Sequence, residues 1–253
     1  MQKLDKEDKL QAFFSQDKIA HVNTAGVINL KDEYEIYVDD KEEPSAYLLQ
    51  KGKWHIINTA DTTVNRAAAG MVEEILAEGS PKFSGVLHKF YELIAGKADI
   101  EFAETCYLYY MKPENFVYEP PEVAVDSLKV EEAEIVNHYH PYSEDVPEDI
   151  NRIKKLIENF PAYTVRDREG NPVSWALLRD DGSLGMAHTL KEHRRQGYAY
   201  AITIELLQST IELGLTPYLH IVTDNSPSIS LAEDLGFNRY DERVVWFGVE
   251  EES

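Results

Sequence analysis

The sequence predicts a mixed α/β fold of the α+β kind, built in two halves. Three observations predict it. From Ala162 onward the elements read β-β-β-α-β-α-β, so helices supply the crossovers between strands. Asp180-Asp181-Gly182 lies between two strand-like runs, and Asp-Gly is a strong hairpin signal. Pro120-Pro121 breaks the chain within a polar stretch, where proline blocks regular pairing. The expected division is therefore 1–121 and 122–253.

In the first half, Lys3–Phe14 reads as a short helix. Glu35–Asp39, Ala46–Gln50 and Trp54–Thr59 read as strands, the last two joined by a Lys51-Gly52-Lys53 hairpin. Val64, Ala67, Ala68, Met71, Val72, Ile75 and Leu76 recur at helical spacing over Thr63–Ala77, and Gly79-Ser80-Pro81 stops that run. Val86, Leu87, Phe90, Leu93 and Ile94 predict a second helix over Ser84–Ala95, followed by a strand over Glu104–Met111.

In the second half, Glu131–Tyr139 and Glu148–Phe160 predict helices. Ala162–Arg168, Val173–Arg179 and Gly185–Leu190 predict a meander. A helix over Tyr198–Leu213 ends at Gly214, a C′ glycine. Tyr218–Val222 is a buried-type strand. Ser226 and Pro227 offer an N-cap and first position for a short helix that Gly236 ends, and Val244–Val249 is expected to close this sheet.

Composition narrows the function. The chain of 253 residues carries a net charge of −21, spread evenly at −10 over residues 1–127 and −11 over the rest. Generic binding to nucleic acid or an anionic membrane would work against that repulsion. A single cysteine, Cys106, excludes an internal disulfide framework and a multi-cysteine zinc site. No apolar run approaches the roughly 20 residues of a membrane span, and the start, Met1 to Asp8, is too charged for a signal peptide. A cytoplasmic protein is expected. His138 and His140 on one helix point to different faces, so no metal is expected there.

The chemistry concentrates in Arg194-Arg195-Gln196-Gly197-Tyr198-Ala199, between a strand and a helix. Amides at a helix start are unpaired and point outward, and the dipole adds about half a positive charge. Gly197 lets the backbone approach a bulky anion, Ala199 keeps the first turn clear, and two arginines add charge in an acidic protein. A pyrophosphate fits this cradle.

With Thr223-Asp224-Asn225-Ser226-Pro227 and Leu235-Gly236-Phe237 downstream, the segment resembles the GNAT acetyltransferase superfamily, whose acyl-CoA motif is R/Q-x-x-G-x-G/A. Ile135-Val136-Asn137, Glu158-Asn159-Phe160-Pro161, Pro172 to Leu177 and Met186 to Leu190 resemble its glycine N-acyltransferase branch, over roughly 128–247. The resemblance implies a mixed, mostly antiparallel sheet flanked by helices. It also implies a degenerate GNAT-like N-terminal half and acyl-CoA as co-substrate, with acetyl-CoA the simplest case.

The strand ending Ala187-His188-Thr189 would splay from Tyr218–Val222 and bond the pantetheine arm. Arg194 and the amides of Arg195, Gln196, Gly197, Tyr198, Ala199 and Tyr200 would hold the pyrophosphate, and Asn225 matches a CoA-contacting position. The implied reaction is direct attack of an amine on the thioester, which needs a proton acceptor. The family's usual glutamate positions hold His220 and Ser183 here, and its thiolate-protonating tyrosine is replaced by Ala232. His220 is therefore the first candidate base and His188 the second. The expectation is an N-acyltransferase acting on a small amine or amino acid, possible as a homodimer. The rival is a non-catalytic acyl-CoA-binding module.

Overall fold

A computed structural model describes residues 1–4, 10–14, 16–31, 33–143 and 146–251. In chain order the elements are β1 (Gln2–Lys3), α1 (Gln11–Phe14), α2 (Val22–Asn29), β2 (Glu35–Val38), β3 (Ala46–Lys51), β4 (Trp54–Thr59), α3 (Arg66–Ala77), β5 (Lys82–Leu87), α4 (His88–Ala95) and β6 (Ile100–Tyr110). There follow β7 (Asp126–Ser127), α5 (Ala133–His138), α6 (Pro147–Asn159), β8 (Ala162–Arg166), β9 (Pro172–Leu178), β10 (Leu184–Thr189), α7 (Tyr198–Glu212), β11 (Tyr218–Val222), α8 (Ser226–Asp234) and β12 (Asn238–Val249).

Two sheets form. The larger has eight strands in the order β1-β2-β3-β4-β5-β12-β6-β11, and the smaller runs β10-β9-β8-β7. Pairing is antiparallel in the smaller sheet and along most of the larger, where β4 and β5 are parallel. The fold is thus mixed α/β, mostly antiparallel, with flanking helices.

The chain divides into two compact units. Unit 1 holds 1–110, 220–230 and 238–253, and unit 2 holds 111–219 and 231–237. This division differs from a single cut at 121/122, because the C-terminal strand joins the first unit. β12 was expected to close the second sheet over Val244–Val249. Instead it runs from Asn238, with Val245 opposite Val86 of β5 and opposite Thr105 of β6.

Each unit has its own core. Unit 1 buries Leu10, Phe13, Val27, Ile36, Val38, Tyr47, Leu49 and Ile56 together. Unit 2 buries Leu128, Ala133, Val136, Ile153, Leu156, Ala162, Trp175 and Leu177, so α5 and α6 cover one face of its sheet.

Several expectations are corrected. Ser84–Ala95 is not one helix: β5 pairs with β4 and β12 up to Leu87, and α4 starts only at His88. Gly85 at φ 59° is incompatible with a helix, and its neighbours Phe83 and Val86 pair with β12. Helix α2 was unforeseen, since Val22–Asn29 contains Asn, Thr and Gly and packs by burial rather than propensity. Of the expected first helix, Gln11–Phe14 is helical, Gln2–Lys3 is strand and 5–9 lie outside the described residues. The cap of α8 is Asn225 rather than Ser226: its Oδ1 accepts from Ser228 N at 3.3 Å and its carbonyl from Ile229 N.

Candidate functional site

Among the described residues β10 is an edge strand, paired with β9. Gly185 faces Leu177, but the next register pair is His188 with Trp175. Met186 and Ala187 therefore bulge against the single residue Ala176, with Met186 at φ 50° and Ala187 exposed. A bulge on an edge strand re-aims backbone groups away from the ladder. Past it, Thr189 Oγ1 pairs with Ser174 Oγ at 2.8 Å, which anchors the end of the strand.

The loop into α7 follows. Leu190 N donates to Val173 O, and Lys191–His193 makes one 3-10 turn. Arg194 is extended, and its Nε donates to Thr189 O at 3.0 Å. Arg195 at φ 60° and Gly197 at φ 78° then adopt left-handed conformations on either side of Gln196. Such alternation turns neighbouring amides into one concavity suited to an anion. Among the described residues no side-chain cap hydrogen bond is made at the N-cap of α7, and its first bonded amide is Ala201, to Gly197 O at 2.9 Å. The amides of Tyr198, Ala199 and Tyr200 precede that bond. A Cβ built on Gly197 meets nothing within 4 Å, so the space above the turn is open. Around it, Gln196 Nε2 donates to Glu192 O and Tyr198 Oη to Gln196 Oε1, which shapes the rim.

His188 sits just behind the bulge. Its ring stacks on Tyr139, 4.5 Å between centroids at 28°, and on Trp175, 5.3 Å at 27°. Among the described residues no hydrogen bond engages its nitrogens. Burial first, then the positive charge of Arg194, hold its pKa below the usual histidine value. Ser183, matched to the branch's glutamate, is buried and donates to Asp181 Oδ1 at 2.6 Å. Ala232 is buried at 1% exposure.

His220 and Asn225 belong to unit 1. The indole Nε1 of Trp246 donates to His220 Nδ1 at 3.0 Å. In the neutral ring the proton then sits on Nε2, and the lone pair faces Trp246. Gly85 makes this seat possible: a Cβ there would lie 2.4 Å from His220 Cε1. Asn23 Nδ2 in turn donates to the carbonyls of Ser84 and Gly85, at 3.4 and 3.2 Å. Asn225 spends its side-chain oxygen on the α8 cap.

The strand-to-helix placement of the loop was expected, but nothing in the sequence pointed to Tyr139, Trp246 and Gly85 as neighbours of the two histidines. Each lies far along the chain from the histidine it touches, so no local spacing announces it. Among the described residues no group of three or more His, Cys, Asp or Glu is placed to hold a metal ion.

Comparison with known proteins shows what the chain resembles. The family profile described as FR47-like protein matches residues 164–247. The mouse glycine N-acyltransferase-like protein Keg1 is 36% identical over 69 residues, 27% of this chain and 23% of that protein. The bovine glycine N-acyltransferase is 26% identical over 117 residues, 46% of this chain and 39% of that protein. The matched part of the chain thus spans well under half of these relatives. Among solved structures, a Drosophila protein superposes with TM-score 0.81 at 14% identity, covering 100% of this chain and 99% of that one. A tandem GNAT protein from the clavulanic acid biosynthesis pathway superposes with TM-score 0.59 at 13% identity, covering 100% and 98%. The chain is thus similar to the FR47-like family over residues 164–247 and shares its fold with the tandem GNAT protein.

Proposed function

We propose that this chain is an acyl-CoA-dependent N-acyltransferase, and that unit 2 carries the co-substrate site and the proton acceptor. The supporting observation is the uncapped start of α7 beneath two left-handed residues, Arg195 and Gly197. Arg194 and the amides from Arg195 to Tyr200 hold the pyrophosphate of CoA. The exposed edge of β10 at Ala187, His188 and Thr189 takes the pantetheine arm as a strand would be taken. The acceptor is a small amine or amino acid, in keeping with the names of the glycine N-acyltransferase relatives.

In direct transfer the amine nitrogen bonds to the thioester carbonyl carbon, the carbon–sulfur bond breaks, and the departing thiolate takes up a proton from solvent. The amine must lose one proton. We assign this role to His188: its neutral form prevails at pH 7, and among the described residues no hydrogen bond ties its nitrogens. His220 offers an Nε2–H instead, because its lone pair faces Trp246.

The rival reading, acyl-CoA binding without turnover, draws on the buried Ser183 and Ala232, which leave two of the family's catalytic positions empty of acid or base. Calorimetry with CoA and release of free thiol from acetyl-CoA across an amine panel separate the two. We expect binding and turnover, with His188→Ala lowering kcat about a hundredfold or more. Binding without turnover for any amine establishes the rival, and absence of binding at millimolar CoA removes both.

A further inference from the structure

We infer that Tyr139 is a positioning residue for His188: its ring face fixes the imidazole and stabilises the protonated form that arises when the amine gives up its proton. This rests on the reading of His188 as proton acceptor.

Tyr139 follows the last turn of α5, with its amide bonded to Ile135 O at 3.3 Å. The side chain is 39% exposed, yet it lies nearly parallel to the His188 ring at 4.5 Å. Trp175, the register partner of His188 on β9 and 1% exposed, stacks on the same imidazole and sits 5.6 Å from Tyr139. One neighbour is thus locked in the core of unit 2, and the other stands at its surface.

An aliphatic side chain would shield the histidine equally well. Two aromatic faces do something different, because each presents negative potential to a ring that becomes a cation. The other influences oppose that cation. Burial disfavours it, and Arg194, from the loop ahead of α7, repels it. From β9 comes Trp175, which does not titrate, and from α5 come Tyr139 and, edge-on behind it at 4.9 Å, His138. The π faces are therefore the favourable contribution among the groups packed on His188.

The test is an NMR titration of the His188 imidazole in the full chain, in wild type, Tyr139→Phe and Tyr139→Leu. It is paired with the pH dependence of kcat/KM. Phe keeps the ring and should leave the midpoint in place. Leu keeps the apolar cover but removes the π face, so the midpoint should fall by about half a pH unit. The acid limb of kcat/KM should move with it. An unchanged or raised midpoint in Tyr139→Leu overturns the inference, as does an acid limb that ignores the shift. Absence of acyl transfer in the wild type would instead overturn the catalytic reading, while the titration still decides whether Tyr139 supports the cation.

Discussion

Two glycines with positive φ have opposite surroundings. Gly197 at φ 78° has open space where a Cβ would point, so alanine there would cost strain alone, about 1–2 kcal/mol. That strain falls on the turn proposed to hold the pyrophosphate, and Gly197→Ala should weaken CoA binding about tenfold by calorimetry. Undiminished affinity would mean that the phosphates bind elsewhere. Gly85 at φ 59° has the His220 ring where its Cβ would be. Gly85→Ala must both strain the backbone and expel the imidazole from its bond to Trp246. A melting temperature lower by about 4–8 °C is expected, and an unchanged one would show that the ring is not seated there. The turn at the first glycine was legible in the sequence because it is local, a glycine just ahead of a helix. The second was read as part of a helix, since its partner lies on a strand far along the chain.

At the scale of elements, α3 and α7 make an internal comparison. Both follow a strand and a loop. Asn65 caps α3, its side chain accepting from Ala68 N at 2.9 Å, whereas α7 has no such cap. A self-capped start has already used one of the amides an anion would need. Asn65→Ala should therefore cost about 1 kcal/mol of stability, read by chemical denaturation, and leave CoA affinity unchanged. Loss of affinity in that variant would place a second anion site in unit 1. The helices α3 and α6 were legible from apolar residues at helical spacing, α7 from the glycine that ends it, and the β8–β10 meander from its turn residues. β5 was not: Val86, Leu87 and Phe90 fit either period, and pairing with β4 and β12 decided between them.

For the whole molecule, acidity of the solvent should matter through buried histidines more than through the net charge. His21 is fully buried in unit 1, its Nδ1 2.7 Å from the Tyr47 hydroxyl, and burial lowers its pKa to about 4 against the opposing charge of Asp17. The unfolded chain, with an ordinary histidine near 6.5, binds that proton first. The stability contribution is therefore complete above pH 6.5 and is lost as pH falls toward 4, up to about 3 kcal/mol. Denaturation midpoints from pH 7 to 4 should fall more steeply for wild type than for His21→Gln. Parallel curves would assign the acid sensitivity to other groups.

The position of β12 bears on how the chain is made. β5 and β6 are not neighbours; the strand between them is drawn from residues 238–249. During synthesis β5 and β6 each keep one edge unpaired until residues 238–249 have emerged, so the middle of this sheet closes long after β5 is made, by a contact of high sequence separation.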